Sequence, residues 1–225
     1  MDIELTRNIL MSLLLLSVCC GCGTKKNEKM EPKELPVPVS PESDSRPVIV
    51  AFGDSLTAGA GVSADGNYPA KLQARIDAAG YRYRVINAGI NGETSAQGLA
   101  RTPSIAALRP AIVLVEFGAN DGLRGMPAEA TAQNLLDIVS VLQSTGAKVV
   151  LAGMQIPPNY GPQYTNAFRN IYPVVAKKQK AALIPFFLEG VGGRPALNQE
   201  DGIHPTSEGY DLVVENVWKT LQPLL

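Results

Sequence analysis

The 225-residue chain holds a single histidine, His204, which stands three residues after an aspartate in the stretch Asp201-Gly202-Ile203-His204-Pro205. At that spacing, in a turn eased by Gly202 and stopped by Pro205, the Asp201 carboxylate can return to the imidazole Nδ1. It would then fix the tautomer whose Nε2 acts as a base. Such a base serves a serine, whose hydroxyl is a weak nucleophile until a neighbour takes its proton. Ser55, in Gly53-Asp54-Ser55-Leu56, is the serine that follows the first apolar run of the folded region. Attack by Ser55 on an acyl carbonyl builds an oxyanion, which needs preorganised donors about 2.7–3.1 Å away. Three are on offer: the backbone N–H of Ser55, the backbone N–H of Gly92 and the side-chain amide of Asn120. Glycine at 92 admits a ligand close to the backbone, and asparagine at 120 is a neutral donor that does not compete as a base.

These residues lie far apart in the chain, so a fold must gather them. Short apolar runs at 48–52, 83–87, 111–115, 148–152 and 182–184 read as strands, most of them apolar on both faces, as in a covered parallel sheet. Segments of helical period alternate with them: 68–79, ending at Gly80; a segment within 95–108; 128–144, ending before Gly146; 160–180; and a last helix from about 206. Such alternation predicts an α/β fold, a three-layer α/β/α sandwich with a mostly parallel five-stranded sheet. Ligands of these sheets bind at the carboxyl ends of the strands. The polar clusters 53–56, 87–94, 118–121 and 201–205 each follow a predicted strand or precede the last helix, so all four are expected on one rim.

The residues Gly53-Asp54-Ser55-Leu56, Gly92, Asn120 and the Asp201/His204 pair resemble the four blocks of the GDSL, or SGNH, hydrolases, and the resemblance covers the whole of 47–225. The stretches 51–59, 87–102, 115–125 and 201–205 are similar to the bacterial arylesterases and periplasmic thioesterase/lysophospholipases of that family. The resemblance implies the flavodoxin-like SGNH fold. It also implies Ser55 as nucleophile, Ser55, Gly92 and Asn120 as oxyanion donors, His204 as base and Asp201 as its orienting acid. Position 89 departs from the pattern, with glycine where several relatives carry a small polar residue. A G-x-S-x-G elbow, a phosphate-binding glycine loop and a dinucleotide fingerprint are all missing from the sequence, which argues against other α/β enzymes.

Composition narrows the classes further. Twenty Lys and Arg against 21 Asp and Glu leave a formal charge of −1 and no basic excess for nucleic acid. Three Cys and one His are too few for a Cys/His metal site, so neither a metal nor a cofactor is expected. The cysteines, Cys19, Cys20 and Cys22, follow the apolar run 9–18, which suits the core of a signal peptide and is too short to span a membrane. Gly21 before Cys22 resembles a lipobox. The expected organisation is a lipoprotein-type signal peptide at 1–21, an acylated Cys22 opening a disordered Pro-rich tether over 22–46, and a hydrolase domain at 47–225. That places the mature protein in the bacterial cell envelope, held to a membrane by its lipid. Nothing in the sequence names a protein partner.

For substrate, Leu123 lies in the segment Gly122-Leu123-Arg124-Gly125-Met126-Pro127, whose two glycines suggest a hinge over a bound acyl chain. Ile156 and Tyr160 leave the fourth predicted strand on the same rim and could wall an apolar slot. The expected substrates are short or medium acyl and aryl esters, with thioesters and lysophospholipids alongside. The alternatives are an O-acetyl-carbohydrate esterase or acyltransferase of the envelope, and a non-enzymatic glycan-binding module.

Overall fold

In the computed structural model, residues 44–225 are described, so the expected signal peptide, the lipidation site Cys22 and most of the tether lie outside the described residues. Five strands form one sheet: β1 (Val48–Gly53), β2 (Arg84–Asn87), β3 (Ile112–Glu116), β4 (Lys148–Ala152) and β5 (Ala182–Ile184). Their order is β2-β1-β3-β4-β5, and every pair is parallel. The chain first steps from β1 outward to β2, then crosses back to place β3 on the other side of β1. Their carboxyl ends therefore flank the switch point at which ligands of such sheets bind.

The helices cover both faces of the sheet. α3 (Ser95–Ala107) packs on α5 (Ala128–Ser144), which packs on α6 (Pro162–Gln179), while α2 (Tyr68–Ala78) packs on α7 (Ser207–Leu221). Each helix buries one stripe, as with Leu135, Ile138, Val139 and Leu142 of α5 and Tyr210, Val213, Val214, Val217 and Leu221 of α7. Every residue of β3 is buried between these layers. The edge strand β2 is only half-buried, so its apolar residues are covered less than the reading of doubly buried strands implies.

Helix boundaries follow local chemistry. Asn67 caps α2 by accepting the Ala70 N–H, Thr206 caps α7 through the Gly209 N–H, and Thr94 with Gln97 forms a reciprocal capping box on α3. The helix expected over 160–180 begins later, at Pro162. A 3-10 turn at Pro158–Tyr160 comes first, and Gly161 at φ +84° breaks the path between the two. Two short helices escape the periodic pattern altogether: α1 (Ser55–Ala58) and α4 (Ala119–Leu123). Both are too short to show a 3.6-residue repeat, and both lie on the rim where the polar clusters converge. Just ahead of β1, Asp44 pairs with Arg46, whose guanidinium donates to the Tyr83 carbonyl beside β2 (3.3 Å). No helix among the described residues is long and apolar enough to cross a membrane.

Candidate active site

The turn from β1 into α1 carries Ser55. It is tight because Asp54, fully buried, caps α1 by accepting the Leu56 N–H (3.0 Å), and the Asp54 N–H itself points at Glu116 Oε2 (3.4 Å). Gly53 lies opposite Glu116 in the parallel ladder. A Cβ on Gly53 would stand 2.6 Å from Glu116 Oε2 and 2.2 Å from Thr57 Oγ1, so only glycine lets the end of β3 approach α1 this closely. The Thr57 hydroxyl donates to Glu116 Oε2 (2.9 Å), and the Tyr210 hydroxyl donates to the Leu56 carbonyl (2.9 Å).

From this base Ser55 Oγ reaches His204 Nε2 at 2.8 Å. His204 Nδ1 lies 2.6 Å from Asp201 Oδ2, while the N–H groups of Ile203 and His204 both donate to Asp201 Oδ1 (3.0 Å each). Partial burial works against the Asp201 charge, yet the hydrogen bonds from the His204 ring and from these two backbone groups outweigh it and bring its carboxyl down to about 2. Asp201 therefore stays ionised across the ordinary pH range and can hold the imidazole. Gln199 braces this loop, with its side-chain amide donating to Ala60 O beyond α1 (2.7 Å) and to Pro205 O (3.0 Å).

Asn120 opens α4 at the end of β3. Its Nδ2 donates to Asp54 Oδ2 and to the Glu93 carbonyl, 3.0 Å each. Both amide hydrogens have partners at rest, which the sequence reading of a simple donor did not anticipate. An arriving oxyanion would take one of them, and the neutral Glu93 carbonyl is the weaker competitor beside an ionised Asp54. The loop that carries Gly92 is clamped by Arg101, which donates to the Ala88 carbonyl (3.0 Å), pairs with the Glu93 carboxylate and lies 4.9 Å over the Phe52 ring. Gly92 sits at φ +76°, and a would-be Cβ would meet only Arg124 Nη2 at an ordinary 3.9 Å, so its requirement is the left-handed backbone. Gly89, the departure from the family pattern, packs against α1: a Cβ there would come 2.1 Å from the Ala58 nitrogen. Position 89 thus bears on the nucleophile's own helix.

Ser55, Gly92, Asn120 and His204 border one cavity of about 570 Å³. Leu123 and Ile156 line it, joined by Met154 from the same loop as Ile156 and by Phe186 and Leu188 from the loop after β5, which sequence reading did not single out. Tyr160 is not among the lining residues. Its hydroxyl donates to the Leu123 carbonyl (2.7 Å), so it braces the wall from behind. The expected hinge over 122–127 is corrected likewise. Gly122 is buried in α4 with its N–H bonded to the Gly118 carbonyl, the Tyr164 hydroxyl holds the Met126 carbonyl, and Arg124 donates to the Gly92 carbonyl (3.0 Å). That segment is strapped at several points. Among the described residues no group of three His, Cys, Asp or Glu is placed to hold a metal ion.

A serine joined to imidazole and carboxylate, opening on an apolar cavity at the carboxyl rim of a parallel sheet, defines a serine-type acyl hydrolase. Comparison with known proteins makes the assignment specific: the chain belongs to the GDSL-like lipase/acylhydrolase family, whose model matches residues 51–212. It is 49% identical to esterase TesA of Pseudomonas aeruginosa over 178 residues, covering 79% of this chain and 89% of that one. It is 40% identical to thioesterase 1/protease 1/lysophospholipase L1 of Escherichia coli K12, over 79% of this chain and 84% of that one. Among solved structures it resembles the psychrotrophic esterase EstA from Pseudoalteromonas, inhibited by monoethylphosphonate, at 33% identity and a TM-score of 0.74, covering 78% of this chain and 97% of that one.

The buried acid beneath the site sets a pH dependence. Burial raises the Asp54 carboxyl to about 6, against hydrogen bonds from Leu56 and Asn120 that favour its charge. Carboxyls of the unfolded chain titrate near ~4, so between ~4 and ~6 the folded state keeps a proton that the unfolded state has released. The contribution of Asp54 to stability therefore falls as pH rises through that window. Denaturant titrations of wild type and Asp54→Asn at stepped pH should show wild type losing stability relative to the variant between ~4 and ~6.

Proposed function

We propose that this serine esterase works through Ser55 as nucleophile, His204 as general base and then acid, and Asp201 as the group that orients and charge-stabilises the imidazole. The observation that carries the reading is the continuous path from Ser55 Oγ through the His204 ring to Asp201 at 2.8 and 2.6 Å. His204 Nε2 takes the hydroxyl proton as Ser55 Oγ bonds to the carbonyl carbon. The N–H groups of Ser55 and Gly92 and the Asn120 amide receive the oxyanion. When the tetrahedral intermediate collapses, the proton passes from His204 to the leaving alcohol or thiol, and an acyl-serine remains. Water, deprotonated by the same imidazole, releases the acid and restores Ser55. A phosphonate-inhibited relative fits this course, because a phosphonate on serine presents the tetrahedral, anionic shape of the intermediate.

Leu123, Met154, Ile156 and Leu188 around the nucleophile support short and medium acyl or aryl esters. The likeness to the Escherichia coli thioesterase/lysophospholipase brings thioesters and lysophospholipids within the same class. The apolar lining disfavours an O-acetyl-carbohydrate substrate, which would need polar partners for its hydroxyls. We also infer export: residues 1–21 act as the signal peptide, Cys22 carries the lipid, and the segment to residue 46 tethers the enzyme domain 47–225 to an envelope membrane. The basis is the sequence pattern Gly21-Cys22 after an apolar run.

With chromogenic esters of graded chain length, Ser55→Ala should abolish turnover while the thermal melt stays as in wild type; retained turnover would overturn the serine mechanism. Asn120→Ala should lower kcat about a hundred- to a thousandfold with little change in KM, since its charge-bearing partner exists fully only in the transition state. A raised KM at intact kcat would make Asn120 a ground-state contact. Mass spectrometry of the mature amino terminus should find an acylated Cys22, and an unmodified start further along the chain would overturn the anchor.

A further inference from the structure

Glu116 ends the apolar strand β3 as a fully covered carboxyl, about 1% exposed, and no step of the reaction described above uses it. Its Oε2 accepts from the Thr57 hydroxyl (2.9 Å) and lies 3.4 Å from the Asp54 N–H. Its Oε1 is buried without any donor aimed at it. A carboxylate is an acceptor only, and leaving one oxygen buried and unpaired is costly. A carboxylic acid is also a donor, and the neighbouring acid is Asp54, buried like Glu116 and with its own N–H facing Glu116 Oε2. Asp54 in turn has its oxygens on the Leu56 N–H, which sets the entry to the helix of Ser55, and on the Asn120 amide.

We propose that Glu116 is a positioning residue of the esterase, held as the neutral acid and donating its proton to the Asp54 carboxylate, so that one hydrogen-bonded unit fixes both the Ser55 turn and the oxyanion amide of Asn120. The inference rests on Ser55 as nucleophile and Asn120 as oxyanion donor. Two buried carboxyls side by side cannot both ionise cheaply, and one shared proton leaves the pair with a single negative charge. Burial first, and the Asp54 charge second, push the Glu116 carboxyl well above its ordinary range, and the negative charge belongs on Asp54, which has a donor on each of its oxygens where Glu116 Oε1 has none. The other titratable groups facing the pair are phenols, Tyr68 of α2, Tyr172 of α6 and Tyr210 of α7, together with His204 across the site. Tyr172 and Tyr210 have their hydroxyls on the Phe117 and Leu56 carbonyls, so neither donates to Glu116 Oε1. Gly53 completes the device, since any side chain there would drive the acid away.

The test combines two variants with one spectroscopic signature. Glu116→Leu keeps the bulk and removes the donor; kcat on a short aryl ester should fall about ten- to a hundredfold with KM held within about threefold, the mark of misplaced catalytic groups. Glu116→Gln supplies an amide N–H to Asp54 and a carbonyl to Thr57, and should restore most of that loss. The infrared difference between wild type and Glu116→Gln near neutral pH should contain the carbonyl band of a protonated carboxyl. An absent band overturns the proposal, and so does a Glu116→Gln enzyme that melts like wild type yet has lost kcat. Unchanged kcat in a folded Glu116→Leu would do the same. Should Glu116→Leu fail to fold, the band and the Glu116→Gln kinetics decide alone. Turnover retained by Ser55→Ala would sink the serine reading while leaving the protonated-acid band to be found, so the two failures are told apart.

Discussion

A single buried carboxylate, Asp54, ties the working parts of this enzyme together. It accepts from the first turn of the Ser55 helix and from the Asn120 amide, and it sits against Glu116 from the neighbouring strand. Desolvation makes such a group expensive unless its hydrogen bonds are all made. That requirement constrains the surroundings. Glycine must stand at 53 so that β1 and β3 can close on each other, and threonine at 57 supplies a hydroxyl for the second acid. Asn120 must come from the strand beside the nucleophile, which the β2-β1-β3 order arranges. The turn that presents Ser55 is therefore held by polar contacts that are worth most where water is excluded.

The opposite side of the site is built differently. Asp201 and His204 sit on a loop near solvent, and the Asp201 side chain is 45% exposed. Their alignment comes from local backbone donors and from Gln199, which reaches across to Ala60. A buried, hydrogen-bonded Ser55 turn thus meets an imidazole carried on a more open loop. The apolar cavity lies between them, with its wall braced from outside by Tyr160 and Tyr164. This arrangement keeps the donors for the developing charge fixed before substrate arrives, which is where electrostatic catalysis gains most.

Much of this was legible in the sequence because the signals were local. Apolar β-branched runs bounded by glycine and polar clusters mark the five strands within a residue or so, and α5 and α7 announce themselves by their buried stripes. The single histidine left one candidate base, and Asp201 three residues earlier left one natural orienting acid. Function followed from four clusters converging on one rim, an inference about topology that alternation of strand and helix supports without coordinates.

Other features depend on contacts between distant segments, and no spacing rule carries those. Tyr160 looked like a cavity wall because it follows Ile156, but its hydroxyl donates to the Leu123 carbonyl, while Phe186 and Leu188 from the loop after β5 share the lining. Residues 122–127 read as a hinge because glycine is flexible in isolation, whereas Arg124, Tyr160 and Tyr164 strap that segment once the chain is folded. Both amide hydrogens of Asn120 are spoken for, by Asp54 and Glu93, and Glu116 is an acid with no role until Gly53 is seen against it. Local periodicity and residue chemistry determined the strands, the helices between them and which residues are the candidates for the reaction. Tertiary packing alone decided how those groups are oriented and charged, because orientation and desolvation are set by neighbours that the chain brings together only on folding.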